Sequence, residues 1–233
     1  DFCLSRGLGD VYKRQVVIGM VACAASGVFL LLAYAFERSG WLSLTAIIIS
    51  RLALGFGESW VGTGSATWAI ARVGPLHTAR VISWNGICTY GGLALGAPLG
   101  VKLETEWSMG ALGGMVLLLG LAGLGLAVSR AAVAIVGGHR MAFKSVVMRV
   151  FPHGMALGLG SVGFGTLAAF VALYYASFSW EGAAHALSAF GCAFIGVRLL
   201  LAGTITRFGG FRVAQVSFCL LYTSPSPRDR QKS

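Results

Sequence analysis

Arg51 and Glu58 stand seven residues apart in RLALGFGESW, inside a long apolar run. On a helix, seven residues make two turns less about 20°, so the two side chains share a face roughly 10 Å apart along the axis. An isolated charge near a bilayer centre costs at least about 2.5 kcal/mol by insertion scales, so both must face protein or a water-filled cavity. Two readings follow. Either the pair binds groups on neighbouring helices and fixes packing, or the two border a water-filled path in which Glu58 is a protonatable carboxylate. Asn85 adds a polar contact in such a path or a hydrogen bond between helices. Arg198, near one end of its own run, is either a second cavity charge or a snorkelling one.

No other chemistry suggests itself. Cys3, Cys23, Cys88, Cys192 and Cys219 form no CxxC pair and no metal-ligand spacing. Neither a metal nor a cofactor is expected. GFGES and GTGSA resemble hydrolase elbows only loosely, because neither fits G-x-S-x-G. His77, His139, His153 and His185 lie at or beyond the ends of apolar runs, out of reach of a mid-membrane serine. An intramembrane enzyme is therefore disfavoured, and no catalytic residue is assigned.

The elements that position these residues follow from composition. The 233-residue chain is 56% hydrophobic and 11% charged, with 34 glycines, a balance typical of helical membrane proteins. A span needs about 20 mostly apolar residues. Six runs qualify: 16–36, 41–71, 81–101, 108–129, 153–180 and 182–206. The expected fold is an all-α membrane bundle with the lipid bilayer as its first partner.

A net charge of +10 would point to nucleic acid in a soluble protein. Topology explains it better, and no nucleic acid partner is expected. With 72–80, 130–149 and 207–212 on the cytoplasmic side, Arg72, Arg80, Arg130, Arg140, Lys144, Arg149, Arg207 and Arg212 all fall there. Only Arg38 and Lys102 fall opposite, which is a positive-inside bias.

The two ends read differently from the rest. A codon set for SRGLGDVYKRQ (5–15) has a reverse complement that, shifted one base, translates as CLLYTSPSPR, which is 219–228. Tails encoded by opposite strands of one DNA look like a sequencing adaptor, so 1–15 and 219–233 are expected not to be native. The remaining chain divides into a helical stretch of four spans (16–129), a cytoplasmic linker (130–152) and a second stretch of two spans (153–218). It reads as a fragment of a longer polypeptide.

Local composition marks further features. Ala22, Ala24, Ala25, Ser26 and Gly27 suit close helix contact in lipid. Gly92, Gly96 and Gly100 recur every fourth residue, with Pro98 between the last two. Such a stripe serves packing, and Pro98 also eases bending. The linker places Arg140 and Lys144 on one helical face, suited either to a helix on the anionic leaflet or to a simple tether. Tyr174, Tyr175, Phe178 and Trp180 form an expected interfacial aromatic belt.

RLALGFGESW followed by GPLHTARVISWNGICTYGGLALGAPLG resembles the fourth and fifth helices of the major facilitator superfamily, closest to its bacterial arabinose-efflux-like, sugar- or drug-efflux branch. The shared fourth-helix pattern is Arg51, Gly55 and Gly57. The fifth-helix Gly-Pro pattern is met by Gly92, Gly96, Pro98 and Gly100, with Ala97 inserted before the proline. TRFGGFR resembles the family's cytoplasmic gating loop through Arg207, Gly209, Gly210 and Arg212, with Thr206 where the family usually carries Asp.

The resemblance runs through 16–218 and implies helices three to eight of a twelve-helix transporter in a bacterial inner membrane. It implies alternating access around a midplane site, with a small organic molecule as substrate, export as direction and protons as coupling ion. Arg51, Glu58, Asn85 and Arg198 would line the substrate or proton path. The fragment alone, lacking the other helices, is expected to transport nothing. A channel or a non-transporting membrane scaffold is the alternative.

Overall fold

A computed structural model describes residues 2–131, 133, 143–180, 182–201 and 204–223. The described residues form long helices: α1 (Phe2–Ala35), α2 (Gly40–Val73), α3 (Thr78–Glu106), α4 (Met109–Ser129), α5 (Phe143–Ser177) and α6 (Ala183–Leu200). Two shorter helices follow, α7 (Thr204–Phe208) and α8 (Gly210–Thr223). No strand occurs among the described residues. The chain is an all-α membrane protein, as its composition predicts.

Five helical stretches are long and apolar enough to cross a membrane: Val11–Ala35, Gly40–Val73, Met109–Ser129, Gly154–Ser177 and Ala183–Leu200. The sixth predicted run, 81–101, lies in α3. That helix has 29 residues, ample length, but Asn85, Thr89, Tyr90 and Pro98 dilute its apolar character. The run predicted as 182–206 is also shorter than expected. It ends at Leu200, and the chain re-forms a separate helix at Thr204.

Short connections join α1 to α2, α2 to α3, α3 to α4 and α5 to α6. Between α2 and α3, Gly74 adopts φ +92°, a backbone conformation that side chains with a Cβ rarely take, and Pro75–His77 form one 3-10 turn. Ser108 caps α4 by accepting from the Ala111 amide at 3.2 Å. Lys144 and Arg149 belong to the first turns of α5, which continues unbroken through Pro152. Arg140, Glu181 and His139 lie outside the described residues, as do the side chains of Cys3, His153 and Thr206.

Packing centres on α1, which is held between α2 and α4. Most of the buried residues at these seams are small, namely Ala24, Ser26, Ala33, Ala46, Ser50, Gly57, Gly64, Gly113 and Gly120, with Val16 and Leu30 buried beside them. In lipid, where apolar burial gives helices little reason to associate, small residues allow the close backbone approach that does. A Cβ on Gly27 would lie 2.5 Å from the Leu117 amide nitrogen, and one on Gly57 would lie 2.7 Å from Gly19 O. The small-residue patch of α1 is thus used on both sides.

A second seam joins α3 to α6. Gly191 approaches α3 so closely that a Cβ there would meet Tyr90 O at 2.7 Å. Ser188 Oγ lies 2.7 Å from Ala94 O, bonding across the same seam. Tyr90 stacks on Phe194 at 3.6 Å between centroids and meets Phe164 of α5 edge-on at 5.7 Å. At the end of α5, Trp180 contacts Tyr174, Tyr175 and Phe178, with centroids 5.3 to 6.2 Å apart.

Candidate functional site

Helix α2 presents two distinct faces. Ala46, Ser50, Gly57 and Gly64 are buried against α1. Each residue turns the helix by about 100°, so Arg51 and Glu58, one position beyond Ser50 and Gly57, point well away from that seam. Both side chains are exposed in this stretch of chain. Among the described residues the one ion pair within 4.0 Å is Lys102 with Glu106, at the far end of α3. Among the described residues, neither Arg51 nor Glu58 makes an ion pair within 4.0 Å.

The face they share continues down the helix. Arg51, Gly55, Glu58, Gly62, Ser65 and Ala69 recur at intervals of three and four, which keeps them on one stripe. A Cβ on Gly55 or Gly62 would meet no atom within 4 Å, so this stripe is open along its length. Ser65 and Ala69 then line a cleft of about 650 Å³ between the second half of α2 and the start of α3. Its other walls include His77, Arg80, Trp84, Asn85 and Cys88.

Asn85 thus lines a cleft beyond the end of the stripe that carries Arg51 and Glu58, and neither charged residue lines that cleft. The geometry also accounts for the spacing of the two charges. A charge every seven residues, with glycine between, makes a polar stripe narrow enough to leave Leu52 and Phe56 as an apolar flank. Such an arrangement sets a guanidinium and a carboxylate on one open face of the helix. No group of three or more metal-ligating side chains occurs among the described residues.

Arg198 lies elsewhere. Its Nη1 donates to Ile82 O at 3.0 Å and to Ser83 O at 3.3 Å, both on α3, and its guanidinium stands 4.9 Å over the Phe194 ring. Gly86 makes the seat, since a Cβ there would lie 2.7 Å from Nη1. This side chain occupies the α3–α6 seam, on a different face of α3 from Asn85. Sequence reasoning named Arg198 but missed Gly86, Phe194 and Gly191. The available signal was the four-residue spacing of Phe190, Phe194 and Arg198 on α6.

The glycine-proline run of α3 behaves differently from a tight seam within this stretch. Gly92 and Gly96 face open space, and Gly100 has only ordinary contact with Leu112. Close packing of α3 falls at Gly86 and opposite Gly191 instead. Pro98 sits within the unbroken helix. In the predicted gating loop, Arg207 lies in the last turn of α7 with its guanidinium 5.7 Å from the Phe208 ring. Gly209 turns the chain at φ +81°, and Gly210 and Arg212 begin α8.

Known proteins are similar to this sequence. An uncharacterized MFS-type transporter of Burkholderia pseudomallei (strain 1106a) is 50% identical over 222 residues, covering 92% of this chain and 54% of that protein. One of Burkholderia mallei (strain SAVP1) matches to the same extent. A third, of Pseudomonas aeruginosa (strain LESB58), is 49% identical over 230 residues, covering 95% of this chain and 56% of its own. The chain spans about half the length of the curated relatives it matches. No family model matches the chain, and no solved structure does.

Proposed function

The chain belongs to the major facilitator superfamily, and on that premise we propose that its parent polypeptide is a secondary active transporter. The parent exports a small organic molecule against entry of protons, by alternating access around a site between two helical halves. Its place is the bacterial inner membrane, with the basic ends of α2, α4 and α6 on the cytoplasmic side.

One observation carries this reading: the stripe of Arg51, Gly55, Glu58, Gly62 and Ser65 turns away from the α1 seam and runs into a cleft that Asn85 lines. Charges in a spanning helix are tolerated where they border water or a ligand. Arg51 orders the substrate or the proton carrier. Glu58 takes up and releases the coupling proton. Asn85 hydrogen-bonds the substrate at the cleft. The open glycines Gly92 and Gly96, with Pro98, give α3 room to shift as the halves rock.

The test is flux through the full-length protein in proteoliposomes, with an imposed proton gradient and a panel of small organic molecules. Gradient-driven movement of at least one of them is expected, with Glu58→Gln reducing it by two orders of magnitude or more. Absence of flux for the whole panel, or a Glu58→Gln variant equal to the parent, would overturn the proposal.

A further inference from the structure

The α3–α6 seam has two unlike parts. Deep in the seam, Gly191 is wedged against Tyr90 and Ala94, Ser188 bonds to Ala94 O, and Tyr90 lies among Phe164, Phe190 and Phe194. Two turns further along α6, about 10 Å, the seam is closed by one long side chain, Arg198. Among the described residues, this seam is the main contact between the stretch before residues 130–152 and the stretch after them.

We propose that Arg198 is a releasable latch, which holds the basic-side end of α3 against α6 in the closed state and lets go when the two halves separate about the Gly191–Ala94 contact. The proposal rests on the alternating-access part of the reading above, since only a protein with two states needs such a release.

Three features make the contact breakable without leaving a penalty behind. First, the acceptors Ile82 O and Ser83 O lie within α3, where each is also placed to accept a helical N–H, so withdrawal of the guanidinium orphans neither carbonyl. Second, no carboxylate partners Arg198 among the described residues, so opening strands no opposite charge in the seam. Third, Arg198 lies in the last turn of α6 and is part-exposed, within reach of the aqueous boundary by snorkelling. Gly86 completes the device: it leaves space for the flat guanidinium to rest against the α3 backbone.

Gly86 also supplies a clean variant. Adding a Cβ there displaces only the far end of a flexible side chain, so Gly86→Ala unseats Arg198 while keeping its charge and the packing of Gly191. Interhelical hydrogen bonds in membranes are individually modest, so loss of two should shift a two-state population by roughly an order of magnitude, without unfolding.

The experiment places spin labels at Leu76→Cys and Leu200→Cys in the full-length protein, in a background with its native cysteines replaced. These positions are 95% and 85% exposed and flank the latch. Pulsed electron resonance then reads the distance distribution. The expected result is two distances in the parent protein. Gly86→Ala and Arg198→Ala should each raise the longer one about tenfold relative to the shorter, with Arg198→Lys intermediate and no new distance appearing. Two distances with unchanged populations in both variants would overturn the latch and leave the transport reading standing. A single distance in the parent would overturn both. A shift in population in a protein that moves no substrate would retain the latch and overturn the transport reading.

Discussion

Ser50 Oγ donates to Ser26 O at 2.9 Å and lies 3.3 Å from Ser26 Oγ, with both side chains fully buried between α1 and α2. The contact joins the small-residue patch of α1 to the charged helix. It fixes the rotation of α2 about its axis, and with it the direction in which Arg51 and Glu58 point.

Replacing Ser50 by Ala should lower the stability of the full-length protein by roughly 0.5 to 2 kcal/mol, the range measured for hydrogen bonds between membrane helices. Because Ser26 and Ser50 share one contact, the double replacement should cost less than the sum of the singles. Thermal unfolding in detergent, run as a double-mutant cycle, measures this. Simple additivity would show that the contact does not couple the two helices.

The glycines of α2 should divide sharply. A Cβ on Gly57 would lie 2.6 Å from Cys23 Sγ and 2.7 Å from Gly19 O, whereas Gly55 and Gly62 have nothing within 4 Å. Gly57→Ala forces backbones apart and should cost roughly 1 to 3 kcal/mol, as overpacking does. Gly55→Ala and Gly62→Ala should leave the unfolding midpoint within a degree or two of the parent. Equal losses at all three positions would contradict the two-faced description of α2.

Much of this arrangement is legible in the sequence, and the remainder is not for physical reasons. Of the six runs that apolar length picks out, five are long, apolar helices, because hydrocarbon thickness sets the length needed, and 81–101 is too dilute. Helical periodicity puts Arg51 and Glu58 on one face, since a seven-residue step nearly closes two turns. The patch at Ala24 to Gly27 announces close contact, although not that it would serve α2 and α4 together. Arg198 shows where such reading stops. A lone arginine near a helix end does not reveal its acceptors, because backbone carbonyls leave no trace in residue type. The glycines of α3 fail similarly: four-residue spacing predicts a bare face but not a neighbour, and Gly92 and Gly96 have none within this stretch. Nor does composition show where a span stops, as the break between Leu200 and Thr204 illustrates.

The mirrored codons of 5–15 and 219–228 lead us to propose that neither tail is encoded where 16–218 is. Amplification and sequencing of the genomic locus with primers inside 16–218 should yield sequence other than SRGLGDVYKRQ before Val16 and other than CLLYTSPSPR after Phe218. Uninterrupted genomic reads through SRGLGDVYKRQ and CLLYTSPSPR would contradict the proposal.

The central claim is that one face of α2 borders water inside the membrane, and thiol accessibility tests it most directly. In the full-length protein with its native cysteines replaced, Gly55→Cys and Gly62→Cys should react with a membrane-impermeant thiol reagent, because only a hydrated thiol ionises enough to attack it. Leu52→Cys and Phe56→Cys, on the apolar flank of the same helix, should stay unreacted. Protection at Gly55 and Gly62 together with labelling at Leu52 and Phe56 would contradict the account.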